Sequence, residues 1–162
     1  MRLTSWFGLL LLAVGSLTVL SSGATQETSV AKGTGYGTTG IYARTFGTVV
    51  AKIGTAITYV PDAVNGDSFV INTSGVYAVS YTDGDVNSDD LGISVNLSPT
   101  SKFSTVFGTG QELCLFEAAN TGESCSATVY LAKGAVLRAH STFGGPPPNS
   151  QAITRFIVTK VQ

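Results

Sequence analysis

The chain is short of charge, of sulfur and of the residues that do chemistry. Charged side chains make up 12% of its 162 residues, about half the usual share near 25%. Nine Lys plus Arg against ten Asp plus Glu leave a formal charge of −1, so no basic stripe is available for nucleic acid or anionic lipid. There is one His, at His140, and no Gly-x-Ser-x-Gly elbow accompanies it. Cys114 and Cys125 are the only cysteines, and with one distant His they match no zinc spacing. No window holds a helical period, which excludes a coiled coil. The uncharged run Trp6 to Leu20 is fifteen residues long, short of the roughly 20 that cross a hydrocarbon core. The reading is therefore of a protein that is not an enzyme and carries no certain cofactor.

What is present begins with that run. Arg2 precedes it, and Ser22 and Ala24 follow at the −3 and −1 places of a cleavage site, so residues 1–24 read as a secretory signal peptide. No Cys follows the run to take a lipid, and no membrane insertion is expected after the leader is removed. The expected place is secreted, extracellular or at the cell surface, with the periplasm as a variant. What remains of 162 residues after a leader of 24 suits one domain. Two cysteines in an exported chain read as one disulfide, Cys114 to Cys125.

Residues 25–40 are mostly Gly, Thr and Ser, ending in the run Gly33 to Gly40, and read as a flexible lead-in segment. The glycines keep no period of three, so collagen is excluded. From Ile41 the chain becomes short runs of Val, Ile, Thr and Tyr between Gly, Asn, Asp and Pro, the pattern of strands and turns. The predicted strands are Ile41 to Val50, Ala56 to Val60, Ser68 to Asn72, Val76 to Tyr81, Leu91 to Leu97, Phe103 to Phe107, Leu113 to Ala118, Cys125 to Leu131, Val136 to Ser141 and Ile153 to Val161. That many short strands imply an all-β domain of two packed antiparallel sheets over 41–162. In Val76 to Tyr81 the bulky positions Tyr77, Val79 and Tyr81 alternate with the small ones Val76, Ala78 and Ser80, so the bulky face belongs in the core. The last strand is apolar on both faces, which asks for cover on both sides.

Phe69, five residues and then Gly75-Val76-Tyr77-Ala78-Val79-Ser80-Tyr81 resemble the second half of the C1q signature, Phe-x5-Gly-x-Tyr-x-Phe-x-aromatic. Val129 to Leu137 is similar to that family's strand, turn and strand near the C-terminus. Where the first half of the signature has an aromatic, this chain has Asp62. The sequence thus resembles the C1q and tumour-necrosis-factor-like jelly-roll superfamily and, without the collagen region common in its animal members, is most like its microbial members. The resemblance implies a two-sheet jelly-roll sandwich that assembles as a homotrimer and works by binding. It also places the small face Val76, Ala78 and Ser80, with Ile153 and Ile157 of the last strand, toward the threefold axis.

Two loops are candidate sites. Asp83, Asp85, Asn87 and Asp89 alternate like the start of a calcium loop, although Ser88 and Ser94 stand where the loop's Gly and Glu belong. A solvated turn accounts for the same composition. Phe143, Pro146, Pro147, Pro148 and Asn149 form a stiff loop suited to ligand binding. The expected function is that of an exported homotrimeric recognition protein whose loops bind a surface glycan or protein. The alternatives are a structural component of an extracellular layer, fibre or virion appendage and, last, a secreted hydrolase.

Overall fold

The computed structural model describes residues 26–83, 89–103, 110–118, 123–142 and 153–162. The leader therefore lies outside the described residues. The ten described strands are β1 (Gln26–Tyr36), β2 (Arg44–Ile53), β3 (Ile57–Val60), β4 (Ser68–Ile71), β5 (Gly75–Asp83), β6 (Asp89–Val95), β7 (Glu112–Ala118), β8 (Glu123–Leu131), β9 (Val136–Ser141) and β10 (Arg155–Lys160). They form two five-stranded sheets, A in the order β2-β1-β10-β5-β8 and B in the order β3-β4-β9-β6-β7. Every pairing is antiparallel.

The alternation in β5 has the expected effect. Tyr77, Val79 and Tyr81 are buried while Val76, Ala78 and Ser80 are half-buried on the outer face. Across the sandwich, Phe156 of β10 stacks on Phe69 of β4 with ring centroids 4.5 Å apart, and Phe46 and Tyr81 close round the same ring at 6.2 and 5.7 Å. Cys114 in β7 and Cys125 in β8 form the disulfide. These strands are the outermost of sheets B and A respectively, so the bridge clamps one open side of the sandwich. Closing a loop of this size is worth about 3 kcal/mol in the chain-entropy model.

Residues 26–36 are not a flexible lead-in. They form β1, hydrogen-bonded between β2 and β10, and Thr28 to Ala31 are all buried. The glycines that follow serve contact. A Cβ on Gly37 would lie 2.4 Å from the Gly66 nitrogen, and one on Gly40 would lie 2.3 Å from the Asn65 carbonyl oxygen. Their absence lets the β1–β2 turn lie directly on the β3–β4 connection. There Thr38 N–H donates to Ala63 O at 3.1 Å and Gly40 N–H to Val64 O at 2.9 Å.

The predicted strand Phe103 to Phe107 falls mostly outside the described residues, and Phe103 itself is not in a strand. Its ring is buried on the outer side of sheet B, stacked 6.2 Å from the His140 ring. The last strand is shorter than expected and starts at Arg155. Ile153 stands in the turn before it, off the strand face on which the sequence placed it.

Candidate functional site

The strand ends gather three loops at one pole of the sandwich. β5 ends at Asp83, opposite Glu123 at the start of β8, and β6 starts at Asp89, opposite Ala118 at the end of β7. Thr142, just past β9, is tied to Asp90 in both directions: the Asp90 N–H donates to Thr142 Oγ1 at 3.2 Å, and the Thr142 N–H donates to Asp90 O at 2.9 Å. Segments 84–88, 119–122 and 143–152 therefore leave from the same end. Asp85, Asn87 and the loop residues Phe143, Pro146, Pro147, Pro148 and Asn149 lie outside the described residues.

Asp83 is not available to a cation. Its side chain and that of Arg44 are fully buried, and Arg44 Nη2 donates to Asp83 Oδ1 at 2.7 Å. Thr154 Oγ1–H donates to the same oxygen at 3.1 Å, and Tyr81 O–H donates to Oδ2. The Arg44 guanidinium also lies 4.9 Å over the Tyr36 ring, a cation–π arrangement. Burial first, and then the Asp83 charge, push the Tyr81 hydroxyl up, so it remains a donor. The first acid of the expected calcium loop is thus a strut that joins β5 to Thr154 and to β2. Asp89 takes a place in β6. The described residues contain no group of three His, Cys, Asp or Glu side chains able to hold a metal.

The outer face of sheet A is the second candidate surface. Directly opposed residues of an antiparallel pair point the same way, so Ile157 lies beside Ser80 and Thr159 beside Ala78. On the other flank, Tyr130 opposes Val76, Thr128 opposes Ala78 and Ser126 opposes Ser80. Over β10, β5 and β8 the one charged side chain on this face is Arg155, at the loop pole. Tyr130 is 66% exposed, although its ring is large and apolar.

No family model matches the chain, and no curated protein matches it in sequence. Solved structures do. Murine APRIL superimposes with a TM-score of 0.53 at 13% identity, over 84% of this chain and 98% of that one. The globular domain of zebrafish complement 1qA protein superimposes with a TM-score of 0.51 at 14% identity, over 85% and 96%. The fold is the C1q and tumour-necrosis-factor-like jelly roll. GITRL from bushbaby shares it, with a TM-score of 0.50 at 7% identity over 84% of this chain and 93% of that one.

In this jelly roll His140 belongs to the structure of sheet B. Ser94 Oγ–H donates to His140 Nδ1 at 2.6 Å, and Nε2–H donates to Ser98 O at 3.3 Å. The pair has the spacing of a nucleophile and its base. However, both side chains are fully buried beneath Phe103, and the third group is a carbonyl, so a substrate has no approach. Sequence reasoning missed Ser94 because its partner is 46 positions away. Burial, with the Arg138 charge beside it, pulls His140 down from 6.5 to about 4.

The neutral imidazole is therefore the folded form. Its contribution to stability is complete above about pH 6.5 and is lost as pH falls through about 4. Chemical denaturation of wild type and His140→Gln, compared at pH 7 and pH 4, is expected to show the wild type losing on the order of 3 kcal/mol more than the variant. Equal losses would place the acid sensitivity elsewhere.

The sequence carries two sequons for N-glycosylation, Asn72-Thr73-Ser74 and Asn96-Leu97-Ser98, and both asparagines are engaged internally. Asn72 Nδ2 donates to Thr55 O and Thr58 Oγ1, each at 2.8 Å. Asn96 Oδ1 accepts the Val136 N–H at 2.9 Å. A glycan on Asn72 would displace one of two hydrogen bonds from the nitrogen that carries it.

Proposed function

We propose that this jelly roll is an exported, collagen-free trimeric recognition protein. The outer face of sheet A, with Val76, Ala78, Ser80 and Ile157, forms the threefold contact, and the loops at the pole engage a glycan or protein on a surface. One observation carries the reading. The central strands β5 and β10 present a face of small and apolar side chains that is nearly free of charge, and small side chains let a neighbouring backbone come close. Cyclic closure is what keeps such a face from extending into open filaments. Clustering three loops at one pole then multiplies contacts, since three copies would present their loops together.

Light scattering of the mature protein at micromolar concentration is expected to give a mass of three chains. Ala78→Asp should reduce that mass to one chain or prevent folding, because its carboxylate would be buried without a partner. A wild-type mass of one chain would sink the reading. The second reading, a structural component of a layer or fibre, draws on β2. This strand is the edge of sheet A and exposes Val49, Val50 and Ile53, and an open apolar edge can add further strands. A mass that climbs with concentration would favour that reading.

A further inference from the structure

Beside β2, where the β1–β2 turn meets the β3–β4 connection, a cleft of about 550 Å³ opens to solvent. Thr34, Thr38, Thr45 and Tyr36 line one part of it, Phe46, Pro61 and Ala63 give it apolar surface, and Asp62 and Asp67 complete it. The size falls in the usual range for small-molecule sites, about 300–1,000 Å³. Its walls are preorganised, since the close glycine contacts and the Thr38 N–H to Ala63 O bond hold the turn on the connection.

The charge of the cleft is what stands out. Asp67 is 2% exposed. Its carboxylate accepts the Phe46 N–H at 2.7 Å, the Asp62 N–H at 2.7 Å and the Tyr59 O–H. All three donors are neutral. Arg44 is paired with Asp83, and no cation among the described residues pairs with Asp67, whereas buried charges are ordinarily paired. Asp62 at the rim is held below the usual carboxylate range, chiefly by hydrogen bonds from Asn65, so it stays ionised. Arg138 acts on Asp62 through its charge but donates Nη1–H to Leu97 O at 2.8 Å and pairs with neither carboxylate.

We propose that this cleft binds an amino sugar, with its ammonium group at the Asp62 carboxylate on the rim, above the buried Asp67, and its hydroxyls meeting Thr34, Thr38 and Thr45. An alkylammonium supplies the missing positive charge. The threonine hydroxyls give a polyhydroxylated carrier partners that the bare methylene stem of a lysine side chain would leave unused, and Phe46, Pro61 and Ala63 suit the apolar face of a sugar ring. The proposal is independent of assembly, because all of these residues come from one chain, so a trimer and an empty cleft, or a monomer and a filled one, are separate results.

The test is NMR titration of the mature protein with glucosamine, N-acetylglucosamine and glucose at a pH where the amine is protonated. Glucosamine is expected to shift the amides of Thr38 and Thr45 and to bind at least ~10-fold more tightly than the two neutral sugars, as a charge-assisted contact should. Thr34→Lys, at an exposed position, puts an ammonium of the chain's own at the cleft and should abolish the shifts while the fold persists. Thr45→Val should weaken binding and leave the melting temperature nearly unchanged. Equal shifts with N-acetylglucosamine, or none with glucosamine at tens of millimolar, would overturn the proposal. Tighter binding of Nα-acetyl-lysine methylamide than of glucosamine would overturn it in favour of a protein ligand.

Discussion

Asp83→Ala is expected to lower folding stability by about 3–5 kcal/mol, because it leaves the Arg44 charge in the interior and deprives it of its carboxylate. Arg44 and Asp83 are both fully buried, so water cannot take the place of the lost partner without opening the loop pole. The same change removes the acceptor of Thr154 and Tyr81. The measurement is urea denaturation of wild type, Asp83→Ala and the double variant Arg44→Met with Asp83→Leu. The double variant is expected to recover most of the loss, since replacing a buried pair by apolar groups of similar volume is often close to neutral. A single variant as stable as wild type would show that the pole admits water freely.

A loss of comparable size, about 3–5 kcal/mol, is expected for Phe156→Ala. The Phe156 ring is fully buried and belongs to sheet A, but its stacking partner Phe69 belongs to sheet B. Its removal leaves a cavity bordered also by Phe46 and Tyr81. Neighbouring aromatic rings are too rigid to collapse into such a void. Phe156→Leu fills much of it and should lose less than half as much. Thermal melts of the two variants decide the matter, and equal losses would mean that ring contacts, rather than volume, hold the sheets together.

The two-sheet architecture was legible because β5 keeps strict alternation and because turn residues punctuate β3, β4 and β9 near their true ends. β1 was not legible, for two physical reasons. Register shifts at Ser29/Val30 and Gly33/Gly35 move side chains from one face to the other and erase the period of two. Small Thr, Ser and Gly residues also hide the fact that Thr28 to Ala31 are all buried. Phe103 misled in the opposite way. Its hydrophobicity marks a plug over His140 on the outer side of sheet B, where Gly92 leaves room: a Cβ there would lie 2.6 Å from the Phe103 ring. Composition gave Asp83 the look of a loop ligand, because sequence shows neighbours such as Asp85 but not Arg44, 39 positions away. The cleft was illegible for the same reason, since its two carboxylates act with threonines from β1 and β2.

The described chain starts and finishes at the pole opposite the loops. Gln26 opposes Lys160 across the β1–β10 ladder, and Gln162 O accepts the Val76 N–H at 2.9 Å. A tensile load applied between residues 26 and 162 would therefore pull two antiparallel neighbours apart from their adjoining ends. The rungs of that ladder would fail one after another, as in a zipper, and not all together in shear. Pulled this way, the domain should yield at low force by peeling β1 from β10, while the disulfide-clamped β7–β8 side stays closed until the central strands have parted.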